Sequence, residues 1–109
     1  SAFSARFVDL TANAVIPLPS GKPEIVIGRE DLAGDVFPDV DLNPYQGEEK
    51  GVSRRQARLW LQGGQVFLED LNSTNFTFIN HQKLLPGQRY LLNNEDEVQF
   101  GRLLLKYNS

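Results

Sequence analysis

Two sets of basic residues lie far apart in the sequence, with acids between them. Arg29 stands alone, and Lys50, Arg54, Arg55 and Arg58 come later with no acid among them. From Glu30 to Glu49 there are seven acids (Glu30, Asp31, Asp35, Asp39, Asp41, Glu48, Glu49) and no Lys or Arg. A guanidinium offers paired donors in a fixed fork that matches carboxylate or phosphate oxygens. If the ends of the acidic loop join one sheet, Arg29 and the 50–58 segment can converge on an anion. The competing reading is a solvated acidic loop offset by neighbouring bases. Ser53, inside the basic segment, reads either as a compact hydroxyl donor or as the cap of a turn or short helix.

Other chemistry is sparse. The chain has 109 residues, no Cys, no Met and one His. Without Cys there is no disulfide framework, thiolate metal site or cysteine nucleophile. His81 alone supports neither a His-rich metal site nor a Ser-His-Asp triad. Asp39-x-Asp41-x-Asn43 starts like a calcium loop, but Pro44 takes the position that needs glycine and Lys50 the one that needs glutamate. No enzyme, metal or cofactor is therefore expected. A net charge of −3 gives no general attraction for nucleic acid or an anionic membrane. Aromatic residues do not interleave with a basic stripe. No apolar run approaches the ~20 residues of a membrane span, and SAFSARFVDL does not read as a signal peptide. A cytoplasmic setting is expected. On that reading the sequons Asn72-Ser73-Thr74 and Asn75-Phe76-Thr77 are by-products of a Ser/Thr/Asn-rich loop.

The elements that must position these groups read as strands. Pro17, Pro19, Ser20, Gly21 and Pro23 mark a loop, Gly63-Gly64 has the spacing of a tight hairpin, and Pro86-Gly87 fits a type II turn. Asn93-Asn94-Glu95-Asp96 is another polar break. Between breaks the apolar residues alternate with period two: Phe3, Ala5, Phe7; Ala57, Leu59, Leu61; Val66, Leu68; Tyr90, Leu92; Val98, Phe100. After Gly101-Arg102 the parity changes to Leu103, Leu105 and Tyr107, which predicts a bulge or turn there. Trp60 is out of phase with Leu59 and Leu61, leaving it partly exposed or packed on a second sheet. Ser53-x-x-Gln56 matches a helix capping box, so residues 54–62 could form a short helix. A strand is favoured, because Gly63-Gly64 and another alternating run follow directly. The length fits one domain over 1–109, and the absence of any Met suggests a piece of a longer chain. The predicted fold is an all-β, antiparallel β-sandwich of about ten or eleven short strands, with binding loops at one end.

Three segments together carry a family resemblance. Ile27-Gly28-Arg29, then Gly51-Val52-Ser53-Arg54-Arg55-Gln56-Ala57-Arg58, then Asp70-Leu71-Asn72-Ser73-Thr74-Asn75-Phe76-Thr77-Phe78-Ile79-Asn80 resemble, in order and spacing, the forkhead-associated (FHA) domain. That family's signature is Gly-Arg, Ser-Arg-x-His, and Ser-Thr-Asn-Gly-Thr followed by an apolar residue and Asn-Gly. The resemblance covers about residues 24–107, and the stretch from Phe37 to Ser53 looks like bacterial, cyanobacterial-like members. It implies a non-catalytic module that docks phosphothreonine-containing partner proteins in Ser/Thr kinase signalling. It also implies that Arg29 and Ser53 contact the phosphate, that Arg54 lies beside it, and that Thr74 and Asn75 shape the pocket and clamp the peptide main chain. Charge-assisted hydrogen bonds contribute about 1.5–3 kcal/mol each, which after ordering costs corresponds to micromolar affinity.

Three positions depart from the signature. Gln56 replaces the histidine that is thought to brace the loops; like neutral imidazole, an amide can both donate and accept. Phe76 replaces glycine, and if the turn needs a positive φ the phenylalanine costs about 1–2 kcal/mol. Asn80-His81 replaces Asn-Gly, a milder change because His is enriched at positive φ. Gly28, Gln56 and Phe76 are thus expected to be scaffold. The alternative is an FHA-fold domain that binds independently of phosphorylation, with Phe76 as its main support.

Overall fold

The alternating runs become strands, bounded by the turns their residues encode. In the computed structural model, which describes residues 5–109, the strands are β1 (Arg6–Asp9), β2 (Ala14–Pro17), β3 (Glu24–Gly28), β4 (Val40–Asp41), β5 (Arg55–Gln62) and β6 (Gln65–Asp70). There follow β7 (Thr77–Ile79), β8 (Gln82–Lys83), β9 (Arg89–Leu92), β10 (Glu97–Phe100) and β11 (Leu103–Asn108). They form two sheets, ordered β2-β1-β11-β10-β7-β8 and β4-β3-β5-β6-β9. The expected sandwich is present, with one refinement. Every pairing is antiparallel except β3 with β4, which is parallel, with Ile27 beside Val40.

Turn chemistry sets the registers. Gly63 and Gly64 both adopt positive φ (60° and 77°), the requirement of a type I′ turn, and join Gln62 to Gln65 across β5 and β6. Gly87 has φ 81°, and the Gln88 amide donates to the Leu85 carbonyl, as a type II turn over Pro86-Gly87 requires. The parity change at Gly101-Arg102 is a two-residue turn rather than a bulge, with Phe100 paired to Leu103. The capping-box alternative gives way to β5. Half of that interaction nevertheless survives, because the Gln56 Oε1 accepts from the Ser53 amide at 2.8 Å with no helix present.

The inward faces close a shared core. Phe7, Ile25, Ile27, Leu59, Leu68, Phe100, Leu103 and Leu105 are fully buried. Phe7 meets Phe100 and Tyr107 edge-on, with centroids 5.8 and 5.9 Å apart. Phe3, expected on the face of Ala5 and Phe7, lies outside the described residues. Trp60 is half-buried on the outer face, not on the other sheet. Its ring lies against the guanidinium groups of Arg58 and Arg89, and its Nε1 donates to Glu69 at 2.7 Å.

This register gathers the motif-bearing loops. Gly28 at the end of β3 pairs with Arg55 at the start of β5, and Ala57 pairs with Asp70 at the end of β6. The loops after β3, before β5 and after β6 therefore emerge at the same end of one sheet.

Candidate functional site

Close backbone approach comes first, because it brings the loops together. The Arg29 amide donates to the Arg54 carbonyl at 3.0 Å. A Cβ at Gly28 would lie 1.9 Å from that same carbonyl oxygen, so only glycine fits there. The end of β3, immediately before Arg29, is thus pressed directly onto the segment carrying Ser53 and Arg54.

Side chains then tie each loop to the next. The Arg29 Nε donates to the Val52 carbonyl at 2.7 Å, placing the guanidinium beside Ser53. The Ser53 Oγ accepts from the Thr74 amide at 2.9 Å, which leaves the hydroxyl proton free to donate elsewhere. The Asn75 Nδ2 donates to the Gly51 carbonyl at 3.0 Å, and its Oδ1 makes no bond among the described residues. Gly51, at φ 81°, admits this approach, since a Cβ there would sit 2.7 Å from the Asn75 Nδ2.

Beneath the loops runs a buried polar chain. Gln56, fully buried, donates through Nε2 to the Phe76 carbonyl (3.0 Å) and the Thr77 Oγ1 (2.9 Å). The Thr77 hydroxyl donates to Asp70 at 2.6 Å, and Asp70 also accepts from the Ser73 amide and hydroxyl. Satisfied buried networks of this kind hold a loop in one conformation. Asp70 and Thr77 lie within the quoted motif, yet no feature of their types marked them as the floor of the site.

These contacts enclose an open cleft of about 700 Å³ lined by Arg29, Ser53, Arg54, Thr74 and Asn75. Arg29 and Ser53 therefore line one donor-lined hollow. Gly51, Arg55, Asn72 and Glu48 line it too. Sequence reasoning missed their place, because a charge run does not say which of its members faces inward. The basic segment does not converge as a whole. Arg58 lies over Trp60, and Lys50 borders a separate hollow beside Asp9 and Pro44.

The acidic loop is mostly consumed internally. Asp31 takes the Arg54 guanidinium at 2.7 Å, a contact that holds its carboxyl below the usual range. Asp39 pairs with Lys22 and accepts the Val26 amide. Asp41 accepts from the amides of Glu30 and Asn43. Asp39, Asp41 and Asn43 thus brace loops, which is a structural use for the residues that resembled a calcium loop. Glu48, mostly exposed, stands 3.8 Å from the Arg29 guanidinium. The cleft presents guanidinium, hydroxyl and amide donors with Glu48 at its edge, a surface suited to a multiply charged oxyanion.

Comparison with known proteins agrees with this geometry. The sequence profile of the FHA domain matches residues 25–101. The chain belongs to the FHA family. It is 34% identical over 99 residues to Protein FraH of Nostoc sp., covering 91% of this chain and 33% of that protein. It is 33% identical over 102 residues to the Glycogen accumulation regulator GarA of Mycolicibacterium smegmatis, covering 83% of this chain and 61% of that protein. The chain thus spans from a third to about three-fifths of these relatives. A solved structure from a structural and functional analysis of phosphothreonine-dependent FHA domain interactions superposes with TM-score 0.73 at 23% identity, covering 100% of this chain and 97% of that one. FHA domains are interaction modules rather than enzymes.

Within the FHA frame the three departures have physical answers. Gln56 makes the bracing bonds itself, one accepted and two donated. Phe76 adopts φ 71°, so the loop keeps the left-handed turn and the phenylalanine bears the strain. Its carbonyl still accepts from both Gln56 and the Gly101 amide. Its ring, 40% exposed, lies 3.6 Å from the Lys83 Nζ, which offsets about 0.5–1 kcal/mol. Asn80 and His81 take φ 49° and 70°, as a tight β7–β8 hairpin demands.

The bracing role of Gln56 is testable. Gln56→Leu is expected to destabilise the domain by about 2 kcal/mol, since the Ser53 amide and Thr77 hydroxyl each lose a partner. Gln56→His, which can donate and accept once each, should recover most of that loss in urea denaturation. Equal stability of the leucine and wild-type proteins would remove Gln56 from the scaffold.

Proposed function

We propose that this FHA domain docks proteins carrying phosphothreonine, with the phosphate held by Arg29 and Ser53. The observation that supports it most is that Arg29 and Ser53 line one cleft while each keeps donors uncommitted. A phosphate near pH 7 carries nearly two charges and three acceptor oxygens, which these donors complement. Arg54 also lines the cleft, but its guanidinium is tied to Asp31 at the rim, which offsets much of its charge and leaves it a secondary role beside the phosphate. Arg55, with no ion-pair partner among the described residues, is a further cation toward the ligand. Thr74 shapes the wall, and the free Asn75 Oδ1 can accept from an extended peptide backbone.

Phosphorylation-independent binding loses its main support, because Phe76 preserves the turn instead of reshaping it. The deciding experiment compares threonine-phosphorylated and unphosphorylated versions of one degenerate peptide library. Retention of the phosphorylated library alone is expected. Equal retention of both would overturn the reading.

A pH titration provides a second check. The phosphate's second ionisation lies near pH 6, and the guanidinium groups favour the dianion. Affinity should therefore fall as pH drops, by up to about tenfold between pH 7.5 and 5 if only the dianion binds. Asp31, lowered from 3.8 by Arg54, stays charged across that window and does not produce the change. A flat response would contradict direct phosphate contact.

A further inference from the structure

The outer face of the five-stranded sheet is apolar at its centre and charged around it. Cross-strand register sets two neighbouring rows of side chains there. One runs Glu24, Trp60, Phe67, Leu91 across β3, β5, β6 and β9, and the next runs Val26, Arg58, Glu69, Arg89. Leu91 is 43% exposed, and Trp60 and Phe67 are half-buried. The two guanidinium groups over the Trp60 ring, and its bond to Glu69, fix this surface before anything docks. Its charges are nevertheless unspent. Neither Arg58 nor Arg89 forms an ion pair among the described residues, the Arg58 Nε has no hydrogen-bond partner there, and Glu69 accepts through one carboxylate oxygen only.

We propose that two copies of this chain pair through this face, about a two-fold axis parallel to the strands and lying between β5 and β6. That rotation sets β5 of one copy over β6 of the other, and β3 over β9. Trp60 then meets Phe67 of the second copy, and Arg58 meets Glu69 of the second copy. Each contact occurs twice, because a two-fold interface uses the same patch on both sides. A two-fold axis across the strands would instead face Arg58 with Gln62 and Glu69 with Gln65, pairing no opposite charges. Two twisted sheets packed face to face with nearly aligned strands is the ordinary sandwich geometry. Charge favours a like face over a strongly acidic or basic partner, since Arg58 and Arg89 are balanced by Glu24 and Glu69. The face is small, four strands wide at ~4.8 Å spacing, which places the pair among weak, transient interfaces. An axis along the strands points both copies the same way. Both clefts then open at one end, where a doubly phosphorylated partner gains from engaging two sites.

Sedimentation equilibrium of the chain from about 10 μM to 1 mM tests the pairing. The expected result is a rise from monomer to twice the monomer mass, with a dissociation constant of about 100 μM. Arg58→Glu and Glu69→Arg each oppose like charges at both contacts and should weaken pairing at least about tenfold. An equimolar mixture of these two variants should regain it, because every introduced charge then faces its opposite in the other copy. Each variant keeps its own like-charged β5–β6 neighbours in the mixture, so a repaired fold does not produce the recovery. Leu91→Glu, at an exposed position outside the core, should also weaken pairing by opposing Glu24, and it decides the matter if a charge variant misfolds. Arg6→Glu, exposed on β1 of the other sheet, should change nothing. A monomer at every concentration, pairing unchanged in Leu91→Glu, or a mixture of folded variants no better than its components would overturn the proposal. The first of these outcomes would leave the face to an unlike protein. Pairing needs no ligand, so its failure leaves the phosphothreonine reading standing, and the loss of that reading leaves the pairing.

Discussion

Arg29→Ala is expected to lower affinity for a phosphothreonine peptide at least about 100-fold, while binding of the unphosphorylated peptide stays at background. Charge-assisted hydrogen bonds contribute about 1.5–3 kcal/mol each, and two of them exceed the ~2.7 kcal/mol that a 100-fold change represents. Glu48 reduces the gain, since a ligand must displace its 3.8 Å contact with the guanidinium. That contact is mostly solvent-exposed and contributes about 0–1 kcal/mol. Arg29→Lys should lie between, keeping the charge but losing the fork and the Nε bond to the Val52 carbonyl. Arg54→Ala should cost only a few-fold, because its guanidinium is held by Asp31. Calorimetric titration of each variant gives the ranking. A loss for Arg54→Ala larger than for Arg29→Ala would reassign the phosphate contact.

Gly28→Ala is expected to have the largest effect on stability, about 3 kcal/mol or more. The added methyl would meet the Arg54 carbonyl oxygen at 1.9 Å, where backbone rather than a flexible side chain must yield. Relief requires breaking the 3.0 Å bond from the Arg29 amide to that oxygen, so damage to the fold and to the cleft come together. Urea denaturation measures the first and phosphopeptide titration the second. A stable Gly28→Ala protein with unchanged binding would show that β3 and the Ser53 segment are not in the contact described. By contrast, Gly21 has no heavy atom within 4 Å of its would-be Cβ, and the close-packing argument does not extend to it.

Much of the fold was legible because period-two alternation and turn residues agree along the chain. Gly63-Gly64, Pro86-Gly87 and Asn80-His81 each adopt the backbone their types favour. The parallel β3–β4 pair was not legible, since two residues carry no periodicity and Asp41 reads as part of an acid run. At the site, the motif residues Arg29, Ser53, Arg54, Thr74 and Asn75 do line one cleft. What their types could not convey was partnership. Asp31 takes Arg54, Glu48 approaches Arg29, and Gln56 anchors Thr77 through contacts spanning about twenty residues, which only the register of β3, β5 and β6 defines. Phe76 shows the converse. Its type suggested a reshaped turn, but the bonds to its carbonyl from Gln56 and Gly101 override a local penalty of about 1–2 kcal/mol.

The most direct measurement follows backbone amide resonances of the isotope-labelled domain as one peptide is added, first unphosphorylated and then phosphorylated on its threonine. With the phosphopeptide, shifts should concentrate at Arg29, Ser53–Arg55 and Asn72–Asn75, and the unphosphorylated peptide should move none of them. Shifts confined to the outer face around Trp60, or the same shifts with both peptides, would contradict a phosphate-binding cleft at this end of the sandwich.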